Sequence, residues 1–380
     1  MAKRKTRECG PMLMQGNEAC ARAALAAGCS FMAGYPITPA TEIPEYLSRE
    51  MFKSGGVFMQ LEDELASINA VIGASWGGAR AMTATSGPGY TLMQEGISYA
   101  VETETPLVVI NVMRGGPSTG QPTCSAQDAV MQVRYGAHGD YEIIALTPSS
   151  VQEAFDFTLR AFDLADRFRV PVIVLSDEVV GHTREKIRIP EEVEVFDGGY
   201  QGVTKDFYRP DADGVPPRLE FFTGNKVIVD GQLHNEQGLR AGTEADICTA
   251  LIQRLSHKLL DHMDEIASAD TYDTEDADVV LVAYGSVSRT ALAAVRKARE
   301  AGIRAGLLKL NVIWPVPEQL IRETCRNARH VLVPEMNTGE YLREVQRVTG
   351  ADRTSGFSSI GGRYPTPDEI LTVIREVVRS

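Results

Sequence analysis

The run Pro106-Leu107-Val108-Val109-Ile110-Asn111-Val112 constrains the fold more than any other segment, because it is apolar at almost every consecutive position. A strand with apolar side chains on both faces must be covered on both faces, which is the condition of a parallel sheet between helix layers. Shorter runs repeat the pattern: Ser30 to Gly34, Ala81 to Thr85, Glu142 to Leu146 and Pro171 to Ser176. Helical spacing lies between them, as at Leu65, Ile68, Ile72 and Ser75 across residues 65–79, near 91–103 and near 150–167. Strands alternating with helices predict an α/β fold with a parallel sheet flanked by helices.

From about residue 185 to 275 the alternation stops, and Pro, Gly and acidic residues accumulate (Pro190-Glu191-Glu192, Asp197-Gly198-Gly199, Asp211-Ala212-Asp213-Gly214). Ile247, Leu251, Leu255, Leu259 and Met263 then fall at helical spacing. A long irregular stretch closed by one amphipathic helix reads as a connector with a docking helix. Strand runs resume at Asp278 to Gly285, Arg304 to Leu310 and His330 to Glu335. The expected organisation is a first α/β domain at 1–185, a connector at 186–275 and a smaller α/β domain at 276–380.

The net charge of −13 over 380 residues argues against a nucleic-acid partner, which needs a basic face. Six scattered cysteines contain no C-x-x-C pair, so neither an iron–sulfur cluster nor a zinc site is expected on this chain. Lys3-Arg4-Lys5-Thr6-Arg7-Glu8 leads into no apolar segment of the signal-peptide kind. No stretch approaches the roughly 20 apolar residues of a membrane span, and a cytoplasmic protein is expected.

Glu64 opens the small-residue helix directly after the strand-like Val57 to Leu61, where the helix dipole favours a carboxylate. It either faces a dry pocket with a raised pKa or caps the helix in solvent together with Glu62 and Asp63. In Gly34-Tyr35-Pro36-Ile37-Thr38-Pro39 two prolines stiffen the turn, so the Thr38 hydroxyl either meets a ligand oxygen or bonds its own backbone. Arg114 follows the most apolar strand, at the carboxyl end where ligands of open α/β sheets collect, and a guanidinium can grip a carboxylate there. Arg134, His138 and Asp140 either reach a second carboxylate or form a structural turn. His234 and Glu236 are either a metal or acid–base pair or part of a surface loop.

Glu64 with Gly73 nine positions on, followed by Ala84-Thr85-Ser86-Gly87-Pro88-Gly89, resembles the pyrimidine-binding domain of thiamine diphosphate enzymes. The turn at 34–39 and the segment Val112-Met113-Arg114-Gly115-Gly116-Pro117-Ser118-Thr119-Gly120-Gln121-Pro122-Thr123 narrow the likeness. Together they resemble the α subunits of 2-oxoacid:ferredoxin oxidoreductases, most closely the 2-oxoglutarate enzymes. Tyr284-Gly285-Ser286, Leu310 to Pro315 and Pro334-Glu335-Met336-Asn337 are similar to their transketolase C-terminal-like domain. The resemblance spans nearly the whole chain.

It implies that Glu64 activates thiamine diphosphate, that Thr38 and Arg114 contact the 2-oxoacid, and that Tyr35, Pro36, Ile37 and Gly87 line the cofactor. It implies coenzyme A as co-substrate and ferredoxin as electron acceptor. The family's Gly-Asp-Gly turn for Mg²⁺ and diphosphate has no counterpart, since Asp197-Gly198-Gly199 and Asp213-Gly214-Val215 lack the leading Gly. A β subunit is therefore expected to bring Mg²⁺, the diphosphate grip and a [4Fe–4S] cluster, beside separate γ and ferredoxin-like subunits. The alternatives are the same chemistry on a branched-chain or other 2-oxoacid, and a non-catalytic assembly subunit.

Overall fold

The computed structural model describes residues 1–196, 198 and 204–379. Asp197 and Gly199 of the Asp-Gly-Gly run, and Ser380, lie outside the described residues. The larger sheet has seven strands in the order Val312–Trp314, Ile144–Leu146, Pro171–Asp177, Leu107–Met113, Ala81–Thr85, Phe31–Gly34, Val57–Gln60. Every neighbouring pair is parallel except the first, Val312–Trp314 against Ile144–Leu146. The expected α/β class is thus present. Leu107–Met113 and Pro171–Asp177 are buried along their full length at the middle of the sheet. Burying each such Val, Leu or Ile stabilises the fold by about 1.5–3 kcal/mol.

Ser150 caps the helix Val151–Phe168 by accepting from the Glu153 amide, and this helix lies along the Ala-rich helix Gly16–Ala27. On the other face, Glu64–Trp76 buries Ser67, Ile68, Val71, Ile72, Ser75 and Trp76. Its opposite stripe, with Leu65, Ala66, Asn69 and Gly73, is exposed.

The second sheet runs Ala269–Tyr272, Ala305–Leu310, Val279–Tyr284, His330–Glu335, Thr354–Ser358, parallel except for its first pair. Helices Val287–Glu300 and Pro367–Arg379 cover it, around Val279, Leu281, Val295, Ile370 and Ile374.

Two strands cross the seams drawn from sequence. Ala269–Tyr272, read as connector, is an edge of the second sheet, and Val312–Trp314 of the smaller unit completes the first. The start of the connector also pairs with the N-terminus: Arg184–Ile189 with Gly10–Gln15, and Glu192–Val195 with Ala2–Lys5. Those N-terminal strands escaped notice because Lys3, Arg4 and Lys5 are exposed and give no apolar alternation.

The helix Ala245–Leu260 turns Leu251, Leu255 and Leu259 inward, with Lys258 among them. Glu104, fully buried, takes Lys258 Nζ at 2.7 Å and Arg254 Nη2 at 2.6 Å. A second contact of this region involves His234, whose ring lies 3.9 Å from that of Tyr208, with Nε2 3.4 Å from Glu102 Oε1.

Candidate active site

The carboxyl ends of the parallel strands bring Gly34, Thr85 and Met113 to one edge of the larger sheet, and the candidate residues gather on the turns that follow. Asp63 caps the helix behind Glu64, its Oδ1 accepting from the Ala66 amide at 2.7 Å. Glu64 is therefore spared capping, and its side chain is buried, with the residue 5% exposed. Burial pushes the Glu64 carboxyl above its ordinary pKa, and the charge of Asp63 adds to this. Its own amide, Arg114 and Thr85 pull the other way. The outcome is a carboxyl that can hold a proton nearer neutrality than a solvated one.

Gly89 creates the space. A Cβ there would stand 2.2 Å from both Glu64 Oε1 and Thr85 Oγ1, so no other residue leaves the carboxyl where it is. Thr85 Oγ1 and Ser86 Oγ are buried without a hydrogen bond of normal geometry among the described residues. A buried hydroxyl in that state is costly unless a ligand satisfies it.

Arg114 comes directly after Leu107–Met113 and is 5% exposed. Its Nη1 donates to the Thr38 carbonyl at 2.6 Å, whereas its buried Nε has no partner. Burial lowers its pKa, and Asp128 and then Glu64 offset that by favouring the cation. Gly87, at φ +48°, lets the chain pass close: a Cβ there would lie 3.0 Å from Arg114 Nε. Around the Thr38 carbonyl, Tyr35, Pro36 and the Thr38 side chain are exposed and Ile37 is half-buried. The Thr38 hydroxyl makes no hydrogen bond among the described residues, while its backbone holds Arg114.

The segment after Arg114 folds back on itself. Gln121 donates its amide to the Gly115 carbonyl at 2.7 Å, and the Gly115 amide donates to the Cys124 carbonyl at 3.1 Å. Gly120 is required, because a Cβ would meet the Gly115 carbonyl oxygen at 1.8 Å. Asp128 Oδ2 accepts from the Gly116 amide and fixes the turn.

The structure thus brings Glu64, Arg114, Thr38 and Gly87 to one edge, with Tyr35, Pro36 and Ile37 on the adjoining turn. It keeps the other candidates apart. Arg134 is paired with Glu142 at 2.9 Å, and His138 and Asp140 are exposed on the following turn. His234 turns inward, 3% exposed, while Glu236 faces Arg209 at 2.7 Å, so the two do not form a pair. Sequence reasoning missed Gly89, Ser86 and Asp128 as parts of the site. Gly89 was quoted within Ser86-Gly87-Pro88-Gly89, but only the fold shows which glycine faces the carboxyl.

Among the described residues no group of three or more His, Cys, Asp or Glu side chains is placed to hold a metal ion, and all six cysteines are free. No helix of the described residues is long and apolar enough to cross a membrane. A raised, buried carboxyl, orphaned hydroxyls beside it and a glycine cradle fit the donor and acceptor edge of an aminopyrimidine ring.

Residues 22–253 match the family described as pyruvate flavodoxin/ferredoxin oxidoreductase, thiamine diphosphate-binding, and residues 277–370 match the core domain II of pyruvate:ferredoxin oxidoreductase. A 2-oxoglutarate synthase subunit KorA from Methanothermobacter thermautotrophicus is 50% identical over 370 residues, covering 96% of this chain and 98% of that subunit. The ketoisovalerate oxidoreductase subunit VorB of the same organism is 36% identical, covering 96% of this chain and 97% of that subunit. Among solved structures, 2-oxoglutarate:ferredoxin oxidoreductase from Magnetococcus marinus, with 2-oxoglutarate, coenzyme A and succinyl-CoA bound, superposes with a TM-score of 0.91 at 31% identity. The match covers 97% of this chain, which spans 66% of the length of that one.

Proposed function

This chain belongs to the pyruvate flavodoxin/ferredoxin oxidoreductase family, and from that premise we propose that it is the α subunit of a 2-oxoglutarate:ferredoxin oxidoreductase. The reaction is 2-oxoglutarate and coenzyme A to succinyl-CoA and CO₂, with two electrons passing to ferredoxin, or its reverse. The observation that carries the reading is the meeting of a buried Glu64, its carboxyl pKa raised by burial, with the half-satisfied Arg114 at one sheet edge. Identity of 50% to a 2-oxoglutarate synthase subunit, against 36% to a ketoisovalerate subunit, supports the choice of 2-oxoacid.

Thiamine diphosphate, when bound, supplies the electron sink for the acyl carbanion equivalent left by decarboxylation. Glu64 holds a proton against the aminopyrimidine ring, and Gly89 keeps that carboxyl free to do so. Ser86 offers the ring its unpaired hydroxyl, while the Thr85 hydroxyl lies against the Glu64 carboxyl. Gly87 and the Tyr35-Pro36-Ile37 turn line the cofactor. Arg114 grips the 2-oxoacid carboxylate through Nε and its free Nη2, oriented by the Thr38 carbonyl, and the Thr38 hydroxyl donates to a second substrate oxygen.

A β subunit brings Mg²⁺, the diphosphate grip and the [4Fe–4S] cluster, and γ and ferredoxin-like subunits complete a cytoplasmic complex. In this reading the seven-stranded sheet unit is the pyrimidine-binding domain and the five-stranded unit, which takes in Ala269–Tyr272, is the transketolase C-terminal-like domain, with Val312–Trp314 crossing back to the first sheet. Rates of the purified complex on a panel of 2-oxoacids, with coenzyme A and a low-potential dye, test the proposal. Preference for 2-oxoglutarate is expected. Preference for 2-oxoisovalerate moves the chain to the branched-chain class, and no turnover of any 2-oxoacid makes it an assembly subunit.

A further inference from the structure

Gln127 lies outside the cluster of site residues, yet all its hydrogen-bonding groups are used between the two sheet units. Its amide donates to the Met336 carbonyl at 3.0 Å, and its Oε1 accepts from the Met336 amide at 3.1 Å. Its Nε2 donates to the Tyr284 carbonyl at 3.0 Å, with Asp177 Oδ2 at 3.5 Å, and its own carbonyl accepts from Asn337 Nδ2 at 2.7 Å. Tyr284 ends one strand of the second sheet, and Met336 and Asn337 follow the next strand of that sheet. Asn337 is itself fixed by Tyr284 Oη at 3.1 Å and Glu335 Oε1 at 3.0 Å.

The residue after Gln127 is Asp128, which holds the Gly116 amide, and a Cβ at Gly116 would lie 2.7 Å from its Oδ2. Asp128 is also the first carboxylate favouring the Arg114 cation. The second sheet therefore reaches Arg114 through two consecutive side chains. A buried side chain with every polar group matched across a seam is rigid, because each broken bond leaves a buried group unsatisfied.

We propose that Gln127 is a positioning residue for the 2-oxoacid site, through which the second sheet unit holds the Asp128-braced turn of Arg114. The proposal rests on the reading that Arg114 binds the 2-oxoacid. Gln127 touches neither substrate nor cofactor. What it sets is the angle of the guanidinium, and a displacement of about 1 Å in such a group can cost on the order of 100-fold.

The test uses the assembled complex with Gln127→Met, which keeps volume and removes the side chain's hydrogen bonds, and Gln127→Glu, which replaces the Nε2 donor by a carboxylate oxygen facing the Tyr284 carbonyl and Asp177 Oδ2. The expected result is a KM for 2-oxoglutarate raised about 10-fold or more in both Gln127→Met and Gln127→Glu. In both, kcat stays within about threefold and the KM for coenzyme A is unchanged. Amide hydrogen exchange over residues 112–126 should quicken in both variants. In an Asp128→Asn background, Gln127→Met should add less than about twofold, because both act on one turn.

Unchanged KM and unchanged exchange in the soluble Gln127→Glu complex overturn the proposal, and so does a fall in kcat alone. If Gln127→Met does not assemble, Gln127→Glu decides. Failure of the underlying reading shows separately: Arg114→Lys would then leave the KM for 2-oxoglutarate of the parent complex unaltered.

Discussion

Arg114 Nη1 donates to the Thr38 carbonyl at 2.6 Å, which ties the turn after Leu107–Met113 to the turn after Phe31–Gly34 across the intervening strand Ala81–Thr85. One nitrogen of the guanidinium is thus committed to geometry while Nε stays free for an anion. Arg114→Lys keeps the charge and loses the planar fork, whose separate nitrogens let one donor hold the Thr38 carbonyl while others face an anion. Loss of one charge-assisted hydrogen bond of about 1.5–3 kcal/mol predicts a 10- to 100-fold fall in kcat/KM for the 2-oxoacid, carried by KM. Steady-state rates at varied 2-oxoacid measure it.

Gly89 stands against the Glu64 carboxyl so closely that one methyl group is a direct test. Gly89→Ala places carbon 2.2 Å from Glu64 Oε1 and Thr85 Oγ1, and both must move. The helix Pro88–Leu92 accepts alanine by propensity, so the fold should survive. Turnover is expected to fall at least about 100-fold, with circular dichroism and subunit association unchanged.

Much of this architecture was legible because the strands Leu107–Met113 and Pro171–Asp177 are buried on both faces, and only a covered parallel sheet makes a sequence read that way. Two other strands were not. Ala2–Lys5 carries exposed Arg4 and Lys5, and Val312–Trp314 is three residues long, so neither has a pattern to read. At the site, Glu64 and Arg114 stood out by residue type and by position at element ends. Gly89 and Asp128 act by where they sit in space, 25 and 14 positions from the groups they touch or brace, and no local pattern announces that. In sequence His234 reads as either half of a metal or acid–base pair or part of a surface loop, and no local pattern shows that its ring is buried against Tyr208 and Glu102.

Glu102 gives a pH-dependent stability of defined sign. Burial, together with the charges of Glu104 and Asp230, pushes its carboxyl from 4.5 up to about 9. In the folded chain it stays protonated where the unfolded chain ionises, so its contribution is full below about pH 4.5 and is lost as pH rises toward 9. Glu102→Gln supplies a permanently neutral side chain. It should raise stability by about 1–3 kcal/mol at pH 8 and leave it nearly unchanged at pH 4.5, as denaturant unfolding at the two values reports.

Glu104 has the opposite sign. Burial alone would raise its pKa, but Lys258 and Arg254 outweigh that and bring it to about 2. Its contribution is full above about pH 4.5 and is lost as pH falls toward 2. Glu104→Gln leaves the buried Lys258 and the half-buried Arg254 without their carboxylate and should cost about 3–5 kcal/mol at pH 7. Because Lys258 and Arg254 lie on Ala245–Leu260, hydrogen exchange should show that helix loosening first.

The most direct measurement is turnover of the assembled complex carrying Glu64→Gln, with 2-oxoglutarate, coenzyme A and a low-potential electron acceptor. A glutamine matches the carboxyl in shape but cannot exchange its proton. The rate should fall by about 10²–10⁴-fold while the subunits still associate. A rate within about tenfold of the parent would contradict the assignment of Glu64 as the group that activates the cofactor, and with it the central claim of the account.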